Sequence, residues 1–302
     1  MMQRTTPDRR KILIGGAAVL VAQVAGRSSF AQPAQERKIM DNKAGGYSFL
    51  PGIIAFSEGA VALPGFAVVH ARFNRLVPLD AAYALVEREL KTANRPINAL
   101  CGMELRIARQ YTVDEFRALN RGYVGTLRDK WQLFVDGVNP VPRCNLALTI
   151  DHIAEPNLYG FSYTVVSDAA FKTFVTAGMN DGVLVYGPNT FKQIAAGETL
   201  TRAPDAPADN DLSEANTTRR LEFMLGNADK RLQELGVTWA DAMQVELYAA
   251  RPLGETWEKV VLPRLGGSGQ KGVRWHYGLP PFQGPQVEMD VRGFINEKIL
   301  HV

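Results

Sequence analysis

The order of predicted secondary-structure elements occurs twice along this chain of 302 residues, which restricts the fold more than any single motif does. The first pass is predicted to contain strands at 52–56 and 65–73, a helix at 79–93, a strand at 100–108, a helix from Thr112, and strands at 143–150 and 159–166. The second pass is predicted to contain strands at 173–177 and 183–186, a surface loop at 203–215, a helix at 216–235, a strand at 242–249, a shorter helix at 255–261, and strands at 272–279 and 286–294.

The connections between these elements indicate how the strands pair. Apolar residues of the first helix recur at helical spacing, and Thr112 with Glu115 forms a capping box that begins the second helix. Strand–helix–strand connections of this length favour parallel pairing of the flanking strands. We therefore predict an α+β protein of two tandem units, at 45–167 and 168–302, each a mixed sheet with two helices on one face.

The N-terminal 31 residues have the three regions of an export signal. Arg9 and Arg10 precede a weakly apolar run at 12–24, and Ser29-Phe30-Ala31 places small residues where a signal peptidase cleaves. The apolar run is shorter than the roughly 20 residues that cross a bilayer. The arginine pair is typical of the twin-arginine route, so we expect residues 1–31 to be removed and the protein to be periplasmic. A retained membrane anchor is the alternative.

Charge excludes one class of partner. The whole chain has a net charge of +3, but five basic residues and one acid lie in residues 1–31, so the remainder is near −1. A chain close to neutrality does not indicate nucleic-acid binding. No second long apolar run follows the signal, so we expect no membrane association once the signal is removed.

Cysteine and histidine content indicates neither a disulfide scaffold nor a metal site. Cys101 and Cys144 are the two cysteines, and either one bridge or two buried thiols is compatible with an exported protein. The four histidines form no ligand pair at helical spacing. We expect no metal and no other cofactor.

The C-terminal part of the chain resembles the RidA family. The run V-R-W-H-Y-G-L-P at 273–280, followed by V-E-M-D-V at 287–291, is similar to the closing signature of that family. The runs L-G-V-T-W-A-D at 235–241 and V-E-L-Y at 245–248 resemble its helix end and third strand. The first half matches more loosely, through P-R-C at 142–144. The resemblance implies two RidA-like (chorismate-mutase-like) units, ligand clefts between neighbouring sheets, and a homo-oligomer.

The same resemblance implies roles for five residues. Arg274 and Arg143 would bind a substrate carboxylate, which suits the planar guanidinium, although ordinary ion pairs are the alternative. Asp290 would hold the attacking water as a general base, or be a solvated carboxylate on an edge strand. His276 lies on the same strand face as Arg274 and would be a base or a ligand contact, or a structural histidine. Tyr277 would line the cleft, although aromatic residues at strand spacing are often core.

Three classes of function fit these residues. The RidA resemblance implies a hydrolase or deaminase that uses water on an imine, an enamine or a related small unsaturated carboxylate. Ala177-Gly178-Met179 stands where the family has Ser-Gly-Gln, and this difference favours a non-catalytic periplasmic binding module for a small carboxylate. A partner-binding role with filled clefts is the third class. We favour the enzyme because Arg274 and Asp290 are retained.

Overall fold

The computed structural model describes residues 38–150, 152–182 and 211–302. In this part of the chain the α-helices are α1 (Leu79–Thr92), α2 (Val113–Gly125), α3 (Glu214–Glu234) and the short α4 (Leu262–Leu265). The strands are β1 (Met40–Asn42), β2 (Tyr47–Leu50), β3 (Gly59–Ala62), β4 (Phe66–Pro78), β5 (Leu100–Ile107), β6 (Arg143–Leu148), β7 (Asn157–Val166), β8 (Phe174–Thr176), β9 (Met179–Asn180), β10 (Gln244–Ala249), β11 (Val273–His276), β12 (Gly278–Leu279), β13 (Val287–Gly293) and β14 (Asn296–Leu300).

The longer helices begin where the sequence predicts. Thr112 caps α2: its hydroxyl accepts from the backbone N–H of Glu115 at 3.3 Å, and the Glu115 carboxylate accepts from the backbone N–H of Thr112 at 2.9 Å. This reciprocal capping box satisfies two backbone donors that the first turn of a helix leaves unpaired. Ser213 caps α3 in the same position through the backbone N–H of Asn216. The predicted strand at 52–56 is wrong, because Ile53 and Phe56 pair with each other in a tight turn.

The strands form two mixed sheets. The first sheet has the order β12-β6-β5-β7-β4-β14, and the second has the order β1-β2-β3-β8-β13-β10-β11, with β9 also paired to β13. The pairs β5–β6 and β10–β11 are parallel, as the strand–helix–strand connections predict. The pair β10–β13 in the second sheet is antiparallel and places Glu246 opposite Asp290.

The predicted fold of two self-contained tandem RidA-like units is wrong, because strands from each half of the chain complete the sheet of the other half. From the C-terminal half, β12 pairs with β6 and β14 pairs with β4, both in the first sheet. From the N-terminal half, β1, β2 and β3 extend the second sheet through the β3–β8 pair. After β13 the chain crosses between sheets at Ile295, whose N–H donates to the Val68 carbonyl at 2.9 Å.

The two faces of each sheet differ in polarity. The outer face of the first sheet packs on α1 and α2 through a core that includes Val86 and Leu105. The outer face of the second sheet packs on α3 through a core that includes Leu225 and Leu247. The inner faces meet each other and carry charged side chains, since Arg292 of β13 donates to Glu104 of β5. We call this space the interlayer; apolar burial on the outer faces stabilises the sheets that enclose it.

Two predictions fall on residues outside the described ranges. These are the export signal at 1–31 and the strand at 183–186. Most of the predicted loop at 203–215 also lies outside the described ranges. Within the described residues, none of the helices combines the length and apolar character needed to span a bilayer.

Candidate functional site

A buried arginine organises the centre of the interlayer. Arg292 is 1 % exposed, and its guanidinium donates to the carboxylates of Glu104 and Asp290. The buried ring of His70 lies against it, with Nε2 3.3 Å from Arg292 Nη1. Burial, and then the charge of Arg292, lower the pKa of His70 to about 3, so this imidazole is neutral. The centre is therefore a fixed charge network, because burial and direct pairing hold each group in place.

Glu246, on β10, links this centre to the opening of the interlayer. Its carboxylate accepts from Arg274 Nη1 at 3.2 Å and from the side chain of Gln244. It also lies 3.0 Å from the Tyr248 hydroxyl oxygen and 2.8 Å from His276 Nε2. Burial alone would raise the pKa of Glu246, but the charge of Arg292 and the contact with His276 outweigh burial and hold that pKa well below its usual range. Glu246 is thus an anion that orients its neighbours.

His276 and Arg274 lie where the interlayer opens to solvent, on the edge strand β11. Their side chains are 16 % and 34 % exposed, whereas Glu246 is fully buried. The His276 ring stacks on Tyr248 at a centroid distance of 5.2 Å and meets the edge of half-buried Tyr159 at 5.7 Å. Contact with Glu246 through Nε2 favours the proton on that nitrogen, which leaves Nδ1 as the basic atom.

Asp290 lies deeper than the sequence suggests. It is on the central strand β13, fully buried, and both of its oxygens are engaged, one by Arg292 and the other by the Tyr248 hydroxyl. Burial raises its pKa, while the charge of Arg292 opposes that shift. Asp290 therefore acts on the opening through Tyr248 and Glu246, rather than by direct contact with solvent.

Arg143 lies on the other side of the first sheet. In the parallel pair β10–β11, Arg274 lies opposite Glu246. In the corresponding pair β5–β6, the residue opposite Glu104 is Cys144, so Arg143 is one position away from the place that corresponds to Arg274. Because side chains alternate between faces, Arg143 faces α2, where its guanidinium lies 4.5 Å from the Tyr123 ring centroid. The structure therefore brings Arg274, His276 and Asp290 together and places Arg143 elsewhere.

Tyr277 is exposed to solvent, whereas both cysteines are buried. Tyr277 follows β11 and is 48 % exposed. Both Cys101 and Cys144 are buried free thiols, which is one of the two alternatives that the sequence left open. The Cys144 thiol donates to Glu288 at 3.2 Å, and burial raises the pKa of Glu288 to about 8. Glu288 is thus a neutral acid near pH 7.

Sequence reasoning missed the residues that connect the site. Glu246 and Tyr248 lie in the V-E-L-Y run, which was interpreted only as part of a strand, and Arg106 lies in the strand predicted at 100–108. A polar residue at alternate positions of a strand that is buried on both faces was the available signal. Arg292, at the end of β13, extends that pattern and gave the same signal.

The donor set does not form a metal centre in the described ranges, where no group of three or more His, Cys, Asp or Glu side chains is placed to hold a metal ion. The carboxylates of the interlayer are paired with arginines instead, as the contacts of Arg292 and Arg274 show.

Comparison with known proteins gives the family. A family model described as 2-aminomuconate deaminase CnbZ matches residues 39–298. The chain is 34 % identical over 260 residues to 2-amino-5-chloromuconate deaminase of Comamonas testosteroni. The aligned region covers 85 % of this chain and 96 % of that protein. A solved chorismatase structure matches at a TM-score of 0.39 with 14 % identity, covering 84 % of this chain and 78 % of that chain.

The interpretation of the chain as a RidA family member is wrong, since the family model that spans the described sheets is a different one. The deaminase class predicted from the sequence agrees with the name of that family and with the name of the Comamonas relative, which acts on a small unsaturated carboxylate. The names of the family and of the relative do not concern export, which stays a prediction. The chain belongs to the 2-aminomuconate deaminase (CnbZ) family.

Proposed function

We propose that this protein removes the amino group of a 2-aminomuconate-type enamine by hydrolysis, at the open end of the interlayer. The observation that carries the proposal is the pair of His276 and Glu246, 2.8 Å apart, beside Arg274 where this buried charge network meets solvent. Family membership supports the reaction class, and the name of the Comamonas relative supports the substrate class.

Arg274 is proposed to bind the carboxylate next to the carbon that bears nitrogen. It is about one-third exposed and contacts Glu246 and Glu297 at 3.2 Å each. Glu297 is also contacted by Arg72 at 3.1 Å, so it keeps a cationic partner when a substrate carboxylate takes its place on Arg274. The planar guanidinium then makes two parallel hydrogen bonds to the substrate, which fixes the orientation of the reacting carbon.

His276 is proposed to be the general base, with Glu246 as the group that positions it. Nε2 faces Glu246, so Nδ1 is the atom that takes a proton from water. The contacts with Tyr159 and Tyr248 hold the ring in one orientation. The charge of Glu246 also stabilises the imidazolium that forms when the proton is transferred.

The proposed reaction balances without a further reactant. In the imine tautomer of the substrate, water adds to the carbon that bears nitrogen, and a new C–O bond forms. His276 takes one proton from the water and gives it to the imine nitrogen, which yields a carbinolamine. His276 then takes the hydroxyl proton of the carbinolamine and gives it to the same nitrogen, so that the C=O bond forms as the C–N bond breaks and ammonia leaves. The products are one 2-oxo acid and one ammonia for each water consumed. The homo-oligomer and the periplasmic location predicted from the sequence remain proposals that this chemistry does not require.

The test is ammonia release from 2-aminomuconate by the purified mature chain. We expect His276→Gln to lower kcat by about 10²- to 10⁴-fold, the usual contribution of a general base, with little change in KM. Arg274→Gln should raise KM as well, because it removes a carboxylate contact. Arg128→Gln is the matched control, since that arginine is half exposed and pairs with its neighbour Asp129.

Wild-type protein that releases no ammonia would refute the proposed function. Saturable, Arg274-dependent binding of the substrate under the same conditions would then support the non-catalytic binding module instead. Unchanged kcat in His276→Gln, with an active wild type, would refute the role of His276 alone.

A further inference from the structure

Arg106 has an unsatisfied donor beside the proposed catalytic pair. It lies on β5, is 2 % exposed, and reaches across the interlayer towards Glu246 of the second sheet. One guanidinium nitrogen, Nη1, donates to the Leu105 carbonyl at 3.1 Å. The other, Nη2, has no hydrogen-bond partner, although it is buried. A buried cationic donor without an acceptor is costly, so an acceptor on a bound molecule would stabilise Arg106.

Glu246 does not supply that acceptor. Its nearest oxygen lies 4.0 Å from Arg106 Nη2, beyond hydrogen-bonding distance. The same carboxylate is already contacted by Tyr248, Arg274 and His276, as well as by the side chain of Gln244. Gln244 and Arg274 donate to this carboxylate, whereas Arg106 Nη2 is too far from it to do so.

The position of Arg106 relative to the opening defines what could reach it. Its guanidinium lies 4.2 Å from the ring centroid of Tyr159, and that ring also meets His276 at 5.7 Å. Tyr159 is partly exposed and lies between Arg106 and the opening, so its side chain must move aside for a bound molecule to reach Arg106. Arg106 and Arg274 both lie within 4.0 Å of the Glu246 carboxylate, so two cations flank the reacting position.

We propose that Arg106 determines substrate specificity by binding the second, distal carboxylate of a dicarboxylate substrate, while Arg274 binds the carboxylate next to the reacting carbon. This inference rests on the proposed function, because it takes His276 and Arg274 as the reacting end of the site. The arrangement selects an acid with carboxylates at both ends, since a molecule with an apolar distal end leaves Nη2 unpaired.

The test compares two stable, unreactive diene acids with the same six-carbon skeleton. Trans,trans-muconate has a carboxylate at each end, whereas sorbate has a carboxylate at one end and a methyl group at the other. We expect the wild type to bind muconate about 10- to 100-fold more tightly than sorbate by calorimetry, the effect of one charged hydrogen-bonded pair. Arg106→Gln should abolish that ratio by weakening muconate alone, and Arg274→Gln should weaken both acids.

Equal affinity of the wild type for the two acids would overturn the inference, as would an Arg106→Gln variant that keeps the wild-type ratio or weakens both acids equally. If Arg106→Gln does not fold, judged by circular dichroism, Arg106→Lys makes the same comparison, because it keeps the charge and loses the planar fork. Arg128→Gln is again the control.

The two proposals fail in different ways. No ammonia release from 2-aminomuconate, together with an Arg106-dependent preference for muconate, would refute the proposed function and leave the dicarboxylate site standing. Ammonia release by a wild type that binds muconate and sorbate alike would do the reverse.

Discussion

Glu288→Gln should make the protein more resistant to alkaline pH, and the size of the effect follows from its surroundings. Glu288 is on the inner face of β13, 3 % exposed, and accepts from the Cys144 thiol at 3.2 Å. The Gly178 backbone lies so close that a Cβ there would be 1.9 Å from the Glu288 carboxyl. Burial, together with the charge of Asp290, raises its pKa from 4.5 to about 8.

The raised pKa determines the sign of the pH dependence. Between the two pKa values the folded protein keeps a proton on Glu288 that the unfolded chain releases, so the free energy of unfolding falls as pH rises. From about pH 5 to about pH 8 this one group should cost about 3.5 kcal/mol, at about 1.4 kcal/mol per pH unit once the unfolded carboxyl is ionised. Glutamine keeps the shape and the acceptor for Cys144 but does not ionise, so the variant should lack this loss.

The assay is urea unfolding of wild type and Glu288→Gln at several values of pH across that interval. The difference in the free energy of unfolding should widen in favour of the variant by about 3.5 kcal/mol and then level off above pH 8. Glu222→Gln, at an exposed position of α3, is the control and should run parallel to wild type. Parallel curves for Glu288→Gln would refute the argument that this carboxyl is neutral in the fold.

Three further predictions concern other parts of the chain. Thr112→Ala removes half of the capping box of α2 and should lower the free energy of unfolding by about 1 kcal/mol in urea; an unchanged midpoint would mean that the cap adds nothing. Cys101 and Cys144 should not react with a thiol reagent in the native protein and should both react after denaturation, whereas one bridge would give no reaction in either state. Periplasmic protein should begin at Gln32, and replacing the Arg9-Arg10 pair by lysines should stop its export; a cytoplasmic protein that keeps the first 31 residues would contradict this.

Local patterns in the sequence were sufficient to predict the helices and the parallel pairs. The capping box at Thr112 and the helical spacing of α1 and α3 depend on residues that are close along the chain, so local physics determines them. The same holds for β10 and β13, whose alternating residues indicate one apolar and one polar face. Arg274 was chosen through the resemblance to the RidA family, and His276 because it lies two residues further on the same strand.

The exchange of strands and the linking residues of the site could not be predicted in this way. Strands β12 and β14 have two and five residues, too short to carry a pattern, and their partners lie far away along the chain. Arg143 was chosen by its likeness to Arg274, but a shift of one residue in register turns a side chain to the other face. The strand pattern around Arg106 indicates a buried polar residue but not its role, because that role depends on Glu246 of the other sheet.

The position of β14 has a consequence for how the chain acquires its structure during synthesis. This strand pairs with β4, which lies far earlier along the chain, and closes one edge of the first sheet. The ribosome must therefore synthesise β14 before the sheet built mainly from the N-terminal half is complete. Contacts that join the two ends of the sequence form slowly, because closing so large a loop is entropically unfavourable. Nascent chains that have not yet reached β14 should accordingly be incompletely folded.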